Sequence, residues 1–242
     1  MIRKSRMAVA LGLVLALGVA TVAWADGATD NEPFVDGSVN PSKLDKKKYK
    51  PVNLFVGVRT EGPVTGTQEN PEAEYISFGK NIKWQSTAAP FCTAAIETPG
   101  LTADQARAMC PGKSLIGTGE AEVNLGASRV SNITVQVFNG PGKNQVRLHT
   151  SSPTLGAAAP TVAGSIVKSN AGSKYGNALV VADAPDAGGD AFLITKFNAT
   201  IKKSSKVATA RCKAKKFLWQ RVVTYDDGTK ETATLQQPCK RK

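Results

Sequence analysis

The chain holds a single histidine, His149. A Ser-His-Asp or Cys-His centre needs an imidazole to take the nucleophile's proton. Any chemistry of that kind here must run through this residue. In the stretch QVRLHTS, alternation puts His149 on one face with Arg147 and Ser151. That spacing supplies no orienting acid, and His149 reads as a polar surface residue. The chain is expected to have no catalytic residue and not to be an enzyme.

Paired carboxylates are the next candidates. Glu120 and Glu122 in GTGEAEVNLG lie two apart and share one face of a strand. Retaining glycoside hydrolysis uses two carboxyls about 5 Å apart. Sandwich glycosidases of the laminarinase type place a further acid two positions on. Here that position is Asn124, whose amide serves neither as nucleophile nor as acid. Glu120 and Glu122 leave a carbohydrate-active hydrolase as the alternative reading. A third group, Asp183, Asp186 and Asp190 in DAPDAGGD, gathers oxygen ligands on a glycine-rich turn. Such a turn could hold calcium, the one cofactor the sequence suggests, although the spacing is not that of an EF-hand loop. The plainer reading is a turn shaped by Pro185, Gly188 and Gly189.

Binding is better served by the C-terminal charge. The chain carries 31 Lys and Arg against 19 Asp and Glu. Residues 26–201 hold 16 of each sign, whereas residues 202–242 hold 12 basic and 3 acidic residues. The basic residues fall into three groups: Lys202, Lys203 and Lys206; Lys213, Lys215 and Lys216; and Lys240, Arg241 and Lys242. Strand-end lysines can serve only to keep edges soluble. They can also attract an anionic polysaccharide or another anionic polymer of the cell envelope, at long range and subject to screening by salt. Phe217, Trp219 and Tyr225 lie among them, but stacking on nucleic-acid bases requires exposed rings. The register of the last hairpin turns these rings inward, so no specific nucleic-acid binding is expected.

These groups must be held by a framework of strands. Residues 1–25 have a basic start, an apolar run from Met7 to Ala23, and the small-x-small sequence Ala23-Trp24-Ala25, the pattern of a cleaved signal peptide. They predict a secreted or envelope location, with no transmembrane segment after cleavage. Residues 26–50 read as a flexible polar and basic leader. Residues 51–242 alternate with period two between Gly, Pro, Asn and Asp breaks, which predicts a single antiparallel β-sandwich, jelly-roll-like in topology. Leu54, Val56 and Val58 share one strand face, as do Ile133, Val135 and Val137. One short helix is expected after Thr102, which has capping-box spacing to Gln105, with Pro111 as its stop.

The four cysteines, Cys92, Cys110, Cys212 and Cys239, suggest two disulfides in an exported chain. Three pairings are open, and Cys92–Cys110 with Cys212–Cys239 is the simplest. The spacing does not suit zinc. In the last segment, Asp226-Asp227-Gly228 fits a three-residue hairpin loop with glycine in the left-handed region. That register pairs Trp219 with Leu235 and Val223 with Glu231. It puts Phe217, Trp219, Val223 and Tyr225 on a core face, with Arg221 and Glu231 as diagonal neighbours able to pair.

Residues 110–239 resemble a group of secreted bacterial proteins without assigned activity. The likeness rests on CPGKSLIGTGEAEVNL, DAPDAGGDAFLITKFNATI and the cysteine-bracketed hairpin RCKAKKFLWQRVVTYDDGT. It implies export, one β domain and a terminal cysteine pair, and it carries over no catalytic residue.

Overall fold

The computed structural model describes residues 32–61, 71–125, 128–156, 159, 161–182, 192–225 and 228–242. The fold is all-β and sandwich- or barrel-like. Eleven antiparallel strands form one large sheet: β1 (Glu32–Asn40), β4 (Asn53–Glu61), β5 (Pro71–Gly79), β7 (Leu115–Leu125), β8 (Ser128–Asn139), β9 (Gln145–Ser151), β10 (Thr161–Lys168), β11 (Tyr175–Ala182), β12 (Phe192–Ile201), β14 (Lys216–Tyr225) and β15 (Lys230–Pro238). Five short strands complete the set: β2 (Lys43–Leu44), β3 (Lys50–Pro51), β6 (Ile82–Trp84), β13 (Ala208–Ala210) and β16 (Lys240–Arg241). The large sheet runs in the order β1-β4-β12-β7-β8-β9-β10-β11-β5-β14-β15. It curls until its first strand packs against β14 and β15.

That closure rests on side chains. A Cβ on Gly37 would lie 2.5 Å from the Trp219 ring, so only glycine lets β1 approach so closely. The Val39 N–H donates to Gln237 Oε1 at 2.8 Å. Residues 32–50 are therefore not the flexible leader expected from composition. β1 pairs along its length with β4, from Glu32↔Glu61 to Asn40↔Asn53, and Val39 is buried in the core. Glycine at position 37 thins the apolar signal of this strand, and Trp219 supplies the missing volume from across the fold.

The interior follows the predicted alternation. Leu54, Val56, Val58, Ile133, Val135 and Val137 are all buried in one continuous core. The last hairpin has the predicted register, Trp219↔Leu235 and Val223↔Glu231. The Gly228 N–H donates to the Tyr225 carbonyl, and Gly228 has φ of +83°. Phe217, Trp219, Val223 and Tyr225 point inward. Arg221 does too, but it does not pair with Glu231. Its Nε donates to Glu74 Oε1 at 2.8 Å, and its NH1 donates to the carbonyl of Arg59 at 2.7 Å. The guanidinium thus ties β14 to β5 and, across the barrel, to β4. Glu231 accepts instead from the Tyr225 hydroxyl at 3.1 Å.

A second layer covers part of the outer face. Residues 85–114 leave β6, form α1 (Ala103–Met109), and return to β7. The Thr102 hydroxyl accepts from the Gln105 N–H and Gln105 Oε1 accepts from the Thr102 N–H, so the expected capping box forms. Cys92–Cys110 closes this excursion and Cys212–Cys239 closes the C-terminal segment. Cys92, Ile96, Ala106, Cys110 and Phe138 form a small second core beneath it. Two disulfides mark an oxidising environment. No helix among the described residues is long and apolar enough to cross a membrane.

Candidate functional site

The strand directions bring one set of chain turns to one end of the barrel. β1 ends there and β4 begins there, at Asn40↔Asn53. β12 ends beside them, at Ile201↔Leu54. β14 begins and β15 ends there, at Lys216↔Pro238. Among the segments at this end are residues 41–52, 80–83, 202–216 and 239–242. Together they hold 17 Lys and Arg and one acid, Asp45. More than half of the chain's basic residues therefore lie on four short segments, where charge repulsion must be overcome by the backbone.

Backbone pairing does that. β13 lies between β3 and β6, with Ala210↔Lys50 and Thr209↔Lys83. β16 runs parallel to β2, with Lys240↔Lys43. The Cys212 N–H donates to the Asp45 carbonyl at 2.9 Å, and the Cys239 N–H to the Lys215 carbonyl at 2.9 Å. The Cys212–Cys239 disulfide fixes these two contacts together. Buried Asn81 links the next segment: its Nδ2 donates to the Lys216 carbonyl at 2.9 Å and its Oδ1 accepts from the Lys213 N–H at 3.3 Å. Lys203 is placed by its N–H donating to Asn53 Oδ1 at 2.7 Å. The three C-terminal lysine groups thus converge. Lys43, Lys46, Lys47, Lys48 and Lys50 join them, a group the sequence reading had assigned to the leader.

Tyr49 links three of these segments. Its hydroxyl donates to the Lys80 carbonyl at 2.7 Å. Lys83 Nζ and Arg211 Cζ each lie 4.6 Å from its ring centroid, within cation–π range. Burial pushes the Tyr49 phenol up, and the nearby Arg211 charge opposes this. Asp45 is turned inward on its own loop. Its carboxylate accepts from the Lys47 and Lys48 N–H groups at 2.6 and 2.8 Å. The Lys48 N–H above all, then that of Lys47, holds its pKa below the ordinary carboxylate value.

The other candidates are placed differently. His149 is buried at 2% exposure, not a surface residue, because residues 85–114 cover its strand face. Gln136 and Thr161 are its cross-strand neighbours. The Thr161 hydroxyl donates to the Ile96 carbonyl at 3.0 Å, so it accepts from His149 Nδ1, 2.9 Å away. Nε2 is buried without a hydrogen-bond partner among the described residues. Burial lowers the His149 pKa, opposed in part by the backbone of Leu101, Ile96 and Thr102. The one hydroxyl in hydrogen-bond contact with this imidazole among the described residues, that of Thr161, is already committed to the Ile96 carbonyl.

Glu122 accepts from Lys196 Nζ at 2.9 Å and from Arg129 Nε at 2.9 Å. The Lys196 hydrogen bond, then that of Arg129, lowers its pKa against the effect of burial. A general acid needs the opposite shift. Glu120 is exposed on the same face. Asp183, Asp186 and Asp190, the proposed calcium ligands, lie outside the described residues. Among those described, no group of three His, Cys, Asp or Glu residues could hold a metal ion. The core contains an apolar cavity of about 30 Å³ that offers no polar surface to a ligand.

No protein-family model matches the chain, and no curated protein does. Among solved structures, a cohesin module of a family 33 glycoside hydrolase from Clostridium perfringens ATCC13124 matches with a TM-score of 0.29 and 7% identity. The match covers 87% of this chain and 98% of that one. At that score the likeness carries no argument. The convergent end remains the most distinctive chemistry of the surface. Sequence alone located the three C-terminal lysine groups but could not tell that they meet one another and the lysines of residues 43–50 and 80–83.

Proposed function

We propose that the protein is exported and acts at or near the cell envelope as a non-enzymatic binding or structural protein, contacting anionic envelope polymers through its basic end. One observation carries this reading: four basic segments, distant in sequence, are tied into one surface on which 17 cations face a single acid. The signal-like residues 1–25 and the two disulfides support export. The pairing of Glu122 with Lys196 and Arg129 disfavours it as the general acid of the hydrolase reading.

The test is retention of the full chain on immobilised heparin at low salt, with elution as salt rises. Neutralising Lys213, Lys215 and Lys216 and removing residues 240–242 should move elution to clearly lower salt. Absence of retention at low ionic strength would overturn the reading. Release of sugar from a plain polysaccharide, lost on Glu120→Gln, would replace it with the hydrolase.

A further inference from the structure

The cations of the basic end divide by type. Both of its arginines are committed to the protein itself. Arg211 lies over the Tyr49 ring and its NH1 donates to the Lys47 carbonyl at 3.4 Å. Arg241 NH2 donates to the Lys213 carbonyl at 2.8 Å. The lysines are otherwise disposed. Lys83 lies over Tyr49, and Lys216 Nζ donates to Gln236 Oε1 at 2.8 Å. The remaining lysine ammonium groups of these segments enter no ion pair or hydrogen bond among the described residues. What faces solvent is a field of point charges without the planar fork that reads a carboxylate or a phosphate in two-point fashion; lysine binds phosphate as a point charge.

The backbone adds an independent observation. Lys206 has φ of +60° and Lys215 has φ of +59°. A side chain in the left-handed region is strained, whereas glycine adopts it freely. At both turns the chain carries an exposed ammonium group where its own geometry favours glycine.

We propose, resting on the function proposed above, that the ligand is a linear polyanion of high charge density bearing phosphate-type groups. It is read by lysine ammonium charge rather than by shape. Lys206 and Lys215 contact it, and Arg211 and Arg241 act as braces. A discrete phosphate fits poorly, because the free lysines are spread over four segments rather than gathered by convergent donors. Base stacking fits poorly, because the Tyr49 ring already carries two cations. A lipid surface is disfavoured too: the exposed large apolar residues among those described are Met109 and Val167, and neither lies in the basic segments.

The experiment compares binding of the full chain to long-chain inorganic polyphosphate, polygalacturonate of similar length, monomeric inorganic phosphate, and vesicles of phosphatidylglycerol in phosphatidylcholine. Polyphosphate should bind about tenfold or more tighter than polygalacturonate at equal salt, the difference falling as salt rises. Lys206→Gly with Lys215→Gly should weaken polyphosphate binding several-fold. It should also reduce the log–log salt slope by roughly 0.7 per lysine, the value for flexible single strands, with Tm unchanged or raised. Equal affinity for the two polymers would overturn the proposal. So would competition by monomeric phosphate at equal anion concentration, preference for vesicles, or glycine variants that lose Tm but keep affinity. If no polyanion binds at all, the function proposed above fails; if all bind alike, only this inference does.

Discussion

The two disulfide-closed segments do opposite work with the same covalent device. Cys92–Cys110 closes a neutral excursion that lies on the sheet and buries polar groups: Asn139, Gln136 and His149 are all almost wholly inaccessible beneath it. Its contacts are inward. Asn139 Nδ2 donates to the carbonyls of Ser86 and Ala89 at 2.8 Å each, and Arg147 Nε pairs with Glu97 at 2.8 Å. Cys212–Cys239 closes a segment whose backbone is tied down while its charges stay outside. The first region therefore turns its polar groups inward, where Gln136 Oε1, Asn139 Oδ1 and His149 Nε2 find no hydrogen-bond partner among the described residues. The second spends backbone hydrogen bonds on keeping like charges together. A surface can be well held and still be electrostatically unsatisfied, and such a surface is where a partner is to be sought.

The comparison can be broken at its covalent links first. The two bridges span 18 and 27 residues. Loop-closure entropy gives each about 3 to 4 kcal/mol. Cys92→Ser with Cys110→Ser and Cys212→Ser with Cys239→Ser should lower stability by similar amounts in chemical denaturation. Only the second pair should also weaken retention on heparin. Equal loss of retention in both would mean that the binding surface is not confined to the C-terminal segment.

A smaller effect is expected at the two buried asparagines that hold these segments. Asn139→Ala leaves several carbonyls of residues 86–90 without their donor and should cost about 2 to 3 kcal/mol. Asn81→Ala removes one donor and one acceptor at the basic end, for about 1 to 2 kcal/mol. Hydrogen exchange should place the new opening at residues 86–92 in the first variant and at 213–216 in the second.

Next comes the pH response. His149 is buried with a lowered pKa. Between that value and the ordinary histidine range, near 6.5, the unfolded chain takes up a proton that the folded chain refuses. Stability is complete above this window and falls as pH drops through it, by at most about 1.4 kcal/mol per pH unit. His149→Gln should flatten the Tm profile between pH 7 and 5. An equally steep profile in the variant would assign the slope to another group.

The least effect belongs to Asp45, on the exposed side of the comparison. Its pKa is lowered, so its contribution is present above the ordinary carboxylate value and is lost as pH falls through the folded one. Asp45→Asn should lower Tm slightly at neutral pH and not at all in strong acid. It should raise affinity for polyanions by removing the one acidic side chain of these four segments.

Much of this fold could be read from short-range pattern. Asp226-Asp227-Gly228 set the hairpin register, because only a three-residue loop keeps Phe217, Trp219, Val223 and Tyr225 on one face. Thr102 and Gln105 announced the helix start. The errors have a common cause. His149 looked exposed because alternation tells which face a residue takes, not whether a later layer covers that face. Arg221 was assigned the nearest acid along the hairpin, whereas its partner Glu74 lies 147 residues away in sequence. β1 was missed because its central inward position is a glycine whose space is filled by Trp219.

What the sequence determined by itself was local: strand periodicity, the turn chemistry at Gly228, the helix cap, and the excess of lysine near the C-terminus. All of these depend on residues a few positions apart, and side-chain period and backbone preference act at that range. Which cysteines paired, which polar faces were covered, and whether the lysine groups met were decided only by tertiary structure. Those outcomes depend on strand order and on the curl that brings β1 against β14 and β15. Contacts between residues 40 and 240 are fixed by the packing of the whole barrel and leave no signature in either segment alone.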